Sequence, residues 1–177
     1  MFNIQPNFER LPEPFDISGG RGVVLPAGSY NYTTYRFSVM TADKRWWMTD
    51  FDFGWGAYYN GTRKSMGMEL TFKPNDRIFL EVEANRNEIS LEQGDFYTQI
   101  FSLQAGYNFS PNVSWSNLLQ YDNASRILGF QSRFRWILTP GSDLYLVMNR
   151  GWERTFDHDF ISTYDHGTAK LQYTFRF

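Results

Sequence analysis

The clearest indication of the fold is the C-terminal stretch Ala169-Lys170-Leu171-Gln172-Tyr173-Thr174-Phe175-Arg176-Phe177. Small, apolar or aromatic residues alternate in it with polar ones, as in a β-strand with one face in an apolar medium and the other in water. The same period of two recurs in residues 46–59, 65–73, 77–89 and 126–138. The pattern predicts an all-β protein built from antiparallel strands.

The spacing of these segments predicts nine strands from residue 29 onward, mostly close to the ~9–11 residues that cross a bilayer at a tilt. They are residues 29–40, 46–59, 65–73, 77–89, 96–109, 113–122, 126–138, 143–151 and 166–177. Short turns are expected at residues 41–44, 74–76, 111–112 and 140–143, and longer loops at 60–64, 90–95, 122–125 and 153–165. Short turns on one rim and longer loops on the other are typical of outer-membrane barrels.

The composition supports the same fold. The chain has 17 Phe, 11 Tyr and 6 Trp, yet its mean hydropathy is only -0.49. Many rings in a chain of low hydropathy are expected of a barrel with an aromatic, lipid-facing exterior and a polar interior. We therefore predict a transmembrane antiparallel up-and-down β-barrel of about ten strands in a bacterial outer membrane, with lipid as its main partner. Terminal Phe177 resembles the signal that barrel-insertion machinery recognises.

Residues 1–28 differ from the barrel domain predicted for residues 29–177. They hold four of the seven prolines and the cluster Gly19-Gly20-Arg21-Gly22. The segment is interpreted as one irregular strand, an inward plug or a linker, and residues 7–24 are expected to supply a tenth strand that pairs with residues 29–40. Residues 1–6 lack the features of a signal peptide, so we read the chain as a mature form or a piece of a longer protein.

Charge and motifs exclude several classes of function. The net charge of -2 argues against nucleic acid as a partner. The absence of cysteine excludes disulfides, thiolate metal sites and cysteine nucleophiles. No Gly-x-Ser-x-Gly or His-Glu-x-x-His motif occurs. We expect no cofactor and no enzymatic activity.

Three segments together resemble a known family: residues 22–30, residues 120–123 and residues 134–147, which contain Arg135-Trp136-Ile137 and Pro140-Gly141-Ser142-Asp143-Leu144. Residues 171–177 join them. Over residues 20–177 the chain resembles the C-terminal outer-membrane barrel of a bacterial family of unknown function whose members carry an N-terminal domain like family-9 carbohydrate-binding modules. The resemblance implies a location and a fold but no reaction. This chain lacks such an N-terminal domain, which is therefore expected as a missing partner domain.

The charged residues on the polar side of the strands are the main candidate site. Acidic ones lie on the second to fourth predicted strands and basic ones on the flanking strands of a closed barrel. The set is Arg36, Asp50, Asp52, Glu69, Glu81, Glu83, Arg133, Arg135, Lys170 and Arg176. In a narrow lumen, which about ten strands favour, the two walls would form ion pairs and plug the barrel. In a wider lumen they would set up a transverse field across water.

The predicted loop 153–165 and its border carry a second, weaker candidate. It contains Asp157, His158, Asp159, Asp165 and His166, which are weak candidates for a metal site or for an Asp/His pair that activates water. A solvated acidic surface loop explains the same residues. Three functions therefore stay open: a membrane anchor, scaffold or narrow channel with a charged lumen, which we favour; a surface hydrolase on a barrel; and, last, a soluble barrel that holds an apolar ligand.

Overall fold

The protein is all-β. The computed structural model describes residues 1–42, 45–155, 157 and 159–174. The strands are β1 Phe2–Leu11, β2 Phe15–Asp16, β3 Val24–Leu25, β4 Gly28–Met40, β5 Trp47–Tyr58, β6 Gly61–Asn75, β7 Ile78–Leu91, β8 Gly94–Ser110, β9 Val113–Asp122, β10 Ile127–Thr139, β11 Ser142–Arg154 and β12 Phe160–Gln172. No helix in the described ranges is long and apolar enough to span a membrane.

Ten strands form a single antiparallel sheet in the order β1-β4-β5-β6-β7-β8-β9-β10-β11-β12. Strands β2 and β3 form a separate short hairpin within the connection from β1 to β4. The predicted number of about ten strands and their antiparallel order are thus confirmed. The sheet is open, however: no backbone pairing joins β1 to β12 in the described residues, so the structure does not show the closed barrel expected from the sequence.

The predicted tenth strand is present but begins earlier than expected. It is β1, which pairs with β4 from Phe2 opposite Phe37 to Leu11 opposite Gly28. The register explains why Pro6 is tolerated within it. Met1 bonds Ser38 through its backbone, so the odd-numbered residues of β1 bond β4 and the even-numbered ones direct their backbone groups to the free edge. Pro6, which has no N–H, therefore costs no bond to β4.

The connections are shorter than predicted on the rim where longer loops were expected. Residues 60–64 and 90–95, expected to be longer loops, shrink to the turns 59–60 and 92–93. The last connection, predicted as residues 153–165, is only residues 155–159, because β12 begins at Phe160 rather than at 166. Strand pairing continues further than the alternation in the sequence suggested, since polar residues pair their backbones as well as apolar ones do.

The register divides the sheet into two faces, because directly opposed residues in an antiparallel pair share a face. We call the face that includes Asp50, Asp52 and Arg36 the polar face, and the other the apolar face. All ten strands place large, exposed apolar side chains on the apolar face. Examples are Phe2, Ile4, Phe8, Phe37, Val39, Phe53, Trp55, Met66, Met68, Leu70, Leu80, Phe101, Tyr107, Trp115, Trp136, Leu146, Met148 and Leu171.

The buried hydrophobic core within the described residues is small and lies at one rim. It consists of Val23, Leu25, Ile89 and Leu91, with Phe96 among the side chains packed against it. Ile89, Leu91 and Phe96 lie on the polar face where β7 and β8 meet their turn. The connection 12–27 therefore folds onto the polar face at this rim, which we call the hairpin rim.

Candidate functional site

The acidic residues of the predicted site form a row across three strands of the polar face. Asp50 on β5 is directly opposite Glu69 on β6, and Glu69 is directly opposite Glu83 on β7. Like charges in directly opposed positions destabilise a sheet. Within the described residues, none of these carboxylates has a Lys, Arg or His nitrogen within 4.0 Å. This row, with Glu81 beside it on the same face, is a concentrated negative patch.

The described basic residues of the predicted site lie on the same polar face, and two of them form ion pairs with neighbouring strands. Arg36 on β4 contacts Asp52 on β5 at 2.5 Å, and Arg135 on β10 contacts Asp143 on β11 at 3.0 Å. Arg133 on β10 and Lys170 on β12 share this face, whereas Arg176 lies outside the described residues. In the predicted barrel, ion pairs would join opposite walls of the interior. These two pairs join adjacent strands instead, because opposed and diagonal residues of neighbouring strands are the nearest available.

A cavity of about 430 Å³ opens on the polar face over β1 and β4 to β7. Its walls carry amides and hydroxyls, among them those of Asn7, Asn85 and Ser65. Gly54 and Gly67 line it as well. At Gly67 a Cβ atom would collide with the Asp52 carboxylate and lie 2.8 Å from Oδ1 of Asn85. The absence of a side chain at Gly67 therefore lets two polar side chains converge above its backbone.

Tyrosine rings stand at the end of the cavity nearest the hairpin rim. The rings of Tyr32 and Tyr58 lie edge to face with centroids 5.5 Å apart, and both line the cavity. The Arg63 guanidinium lies 5.3 Å from the centre of the Tyr58 ring, a cation–π contact. Tyr59 packs on the same group and donates a hydrogen bond to Oε2 of Glu9 at 2.7 Å. The cavity thus has one aromatic end.

The hairpin segment, residues 12–27, closes over the polar face and is held by a polar turn. The Asp16 carboxylate accepts hydrogen bonds from the Ser18 backbone and hydroxyl at 2.9 and 2.6 Å and from the Gly20 backbone at 3.2 Å. The bond from the Ser18 hydroxyl is the main reason that the pKa of Asp16 is lowered from its ordinary value of 3.8. Residues 2–11 are thus a strand of the sheet, and the hairpin segment packs its apolar residues against the rim of the polar face.

Arg21 fastens the hairpin segment to the far side of the rim. Its two terminal guanidinium nitrogens donate to the backbone carbonyls of Tyr97, at 2.8 Å, and Asn123, at 2.9 Å. These carbonyls belong to β8 and to the β9–β10 turn, so one side chain bridges the segment to two hairpins of the sheet. The sequence gives no sign of this role, because it depends on contacts with residues 76 and 102 positions away.

The Asp and His residues near the C-terminus do not form one loop site. Asp165 and His166 are consecutive residues of β12, so their side chains point to opposite faces. Asp165 forms an ion pair with Arg150 at 2.5 Å on the apolar face, and His166 Nε2 lies 3.0 Å from the Thr168 hydroxyl. Asp157 and Asp159 lie in the 155–159 connection, and His158 lies outside the described residues. No group of three potential metal ligands occurs in the described part of the chain.

Comparison with known proteins adds no constraint on the site. No protein-family model, no curated protein and no solved structure matches the chain. The resemblance of residues 20–177 to a family of bacterial barrels consequently stays a prediction from the sequence. The fold and the two faces of the sheet are the basis for any assignment of function.

Proposed function

We propose that this chain forms a small transmembrane β-barrel of a bacterial outer membrane, with the apolar face in lipid and the polar face around a narrow, charged interior. The observation that carries the proposal is the exposure of large apolar side chains on one face of all ten strands. Soluble monomers rarely expose apolar patches larger than a few hundred Å². In a bilayer these apolar side chains would contact lipid hydrocarbon and no longer be exposed to water.

The direction of the edge strands fits closure of the sheet. An even number of strands in antiparallel order makes β1 and β12 run in opposite directions, so they are able to pair as the other neighbours do. Closure would remove both free edges, which otherwise invite aggregation. It would also enclose the acidic row and the hairpin segment in the interior, which supports an anchor or narrow channel rather than a wide pore.

The bacterial outer membrane is proposed from sequence features. They are the resemblance of residues 20–177 to the barrels of the family described above and the alternation of aromatic and polar residues in Tyr173-Thr174-Phe175-Arg176-Phe177. Closed β-barrels are also the one β-architecture that satisfies every backbone group within lipid. Partner lipid and the barrel-insertion machinery follow from this location.

A hydrolase on the barrel is the weaker alternative. Asp165 and His166 point to opposite faces of β12, and Asp165 is engaged with Arg150. A general base must come within hydrogen-bond reach of the proton it removes and of the group that orients it. This geometry supports a function without catalysis by the C-terminal residues.

Because the chain has no cysteine, a single introduced cysteine is the only thiol that a labelling reagent modifies, and its position can test the proposal. Phe53→Cys would stand on the apolar face and Gln104→Cys on the polar face. In liposomes, a water-soluble maleimide is expected to label the Gln104→Cys variant many times faster than the Phe53→Cys variant. A spin-labelled lipid is expected to quench a dye attached at position 53 but not one attached at position 104. A protein that stays monomeric and folded without detergent, or equal aqueous labelling at both positions, would contradict the proposal.

A further inference from the structure

We propose that the cavity on the polar face binds a small, uncharged, polyhydroxylated solute such as a mono- or disaccharide. The inference rests on the proposed function, since the cavity would then be a binding station inside the barrel.

The hydrogen-bonding groups of the cavity match hydroxyls. Gln5, Asn7, Asn85 and Asn87 all line it. A side-chain amide offers two donors and an acceptor, and a solute hydroxyl likewise both donates and accepts. Asn7 and Asn87 already bond hydroxyls of this kind, those of Thr34 at 3.3 Å and Thr98 at 3.2 Å.

The charges of the cavity favour a neutral ligand. Among the described residues that line the cavity, the one carboxylate, Asp52, is paired with Arg36. Arg63 lies over the Tyr58 ring, and Arg86 is paired with Glu88. An anion would also be repelled by the neighbouring acidic row on β5 to β7. A cation would meet the guanidinium groups of Arg36 and Arg63 in the cavity walls. An uncharged solute is repelled neither by the acidic row nor by the arginines. On binding it loses hydrogen bonds to water, and the amides of the cavity replace them.

The shape of the cavity suits a ring-shaped molecule. Gly54 and Gly67 let the Ser65 hydroxyl and the Asp52 carboxylate lie close over the backbone of the sheet, while the Tyr32 and Tyr58 rings form an apolar wall at one end. Aromatic rings with a polar tip present an apolar surface for C–H groups together with a hydroxyl for hydrogen bonds. The volume of about 430 Å³ falls in the range of roughly 300–1,000 Å³ typical of small-molecule sites.

The test is calorimetric titration of the full chain with glucose and maltose, in an amine-oxide detergent because that detergent has no sugar headgroup. Glucuronate and glucosamine serve as charged counterparts of the probes. The double variant Asn85→Leu/Asn87→Leu is expected to weaken binding about tenfold or more, since it removes two amides. Asn149→Leu, on the polar face of β11 away from the cavity, is the matched control and is expected to leave binding unchanged.

A second variant covers the case in which the double variant does not fold. Gln5→Trp fills the cavity from the edge strand β1 and is expected to abolish binding without loss of the sheet. Absence of binding by a folded, detergent-inserted wild type would overturn the inference and leave the proposed function intact. Tighter binding of glucuronate, lost on Arg63→Gln, would replace it by an anion site. A protein that is folded and monomeric without detergent would reject the proposed function instead.

Discussion

Two glycines within paired strands differ sharply in what surrounds them. A Cβ atom added to Gly61 would collide with the carbonyl oxygen of Ser90 and lie 2.8 Å from Cα of Leu91, both of which are backbone atoms of β7. A Cβ atom added to Gly167 on β12 would have nothing within 4 Å. The backbone of a paired strand cannot move aside as the end of a side chain can.

Gly61→Ala is therefore expected to lower the free energy of unfolding by about 1–3 kcal/mol, as overpacking does elsewhere. Gly167→Ala is the control and is expected to be neutral or to stabilise by about 0.5–1 kcal/mol, because alanine loses less conformational freedom than glycine. Urea unfolding in detergent, followed by tryptophan fluorescence, measures both. Equal effects of the two substitutions would contradict the close approach at Gly61.

Asp16 makes the hairpin segment sensitive to acid. Hydrogen bonds from Ser18 and Gly20 favour the carboxylate and lower the pKa of Asp16 in the folded protein. A group whose pKa is depressed by folding stabilises the fold above its ordinary value, here 3.8, and loses that contribution as the pH falls through its folded pKa. The hydrogen-exchange protection factors of residues 15–25, measured against an unfolded peptide at the same pH, are expected to fall below about pH 3.8 in the wild type, and Asp16→Asn should remove this step. A carbon-13 NMR titration that gave Asp16 a pKa of 3.8 or higher would contradict the assignment.

At the scale of single elements, the alternation in the sequence predicted most of the sheet. It placed β4, β9 and β10 within one residue at each end, since turn-forming residues such as Pro26, Pro111-Asn112 and Pro140-Gly141 mark their limits in the sequence. It began β12 at residue 166 rather than at Phe160, because Ser162-Thr163-Tyr164-Asp165 is polar enough to look like a loop. Pairing with β11 holds that stretch in the sheet, with a bulge between Gly151 and Trp152.

The hairpin segment could not be predicted from its own residues. Its prolines and glycines were compatible with a strand, a plug or a linker, and the choice depends on Val23 and Leu25 finding Ile89 and Leu91 on a distant strand. The cavity was missed for a related reason. Its two glycines on β5 and β6 look like weak strand positions in the sequence, and only the register places Gly54 opposite Ser65 and Gly67 opposite Asn85.

Arg21 is expected to control how firmly the hairpin segment covers the rim. Arg21→Ala removes both bonds to the carbonyls of Tyr97 and Asn123 and is expected to destabilise the docked segment by about 1 kcal/mol, a low value because the bonds are exposed. Hydrogen exchange should quicken in residues 15–25 while the amides of β5 to β7 stay protected. Arg154→Ala, on β11, is the control and should leave that segment unchanged. Faster exchange throughout the sheet would mean that Arg21 stabilises the whole fold rather than the segment.

At the scale of the whole molecule, the main open point is what pairs with the two edge strands of the sheet, β1 and β12. Strand β12 is exposed along its full length and β1 along nearly all of it. Pro6 removes one donor from the free edge of β1, and the remaining backbone groups of that edge are available for pairing. Both edges carry polar side chains on the polar face, such as Gln5 and Asn7 on β1 and Thr168 and Lys170 on β12.

If the sheet closes on itself in lipid, residues of β1 and β12 on the polar face come close enough for a disulfide, which needs Cβ atoms about 3.5–4.5 Å apart. The cysteine-free chain allows a scan in which Asn7→Cys is combined in turn with cysteine at His166, Thr168 and Lys170. We expect one of these pairs to form a disulfide within a single molecule after refolding into lipid, detected by altered gel mobility and mass. Combinations with cysteine at Asn117, on the apolar face of β9, are the control and should stay reduced.

Cross-links only between two molecules would show that the edges join copies of the chain. Absence of every cross-link in a lipid-inserted protein would mean that other strands lie between β1 and β12, and that these ten strands are one part of a larger barrel.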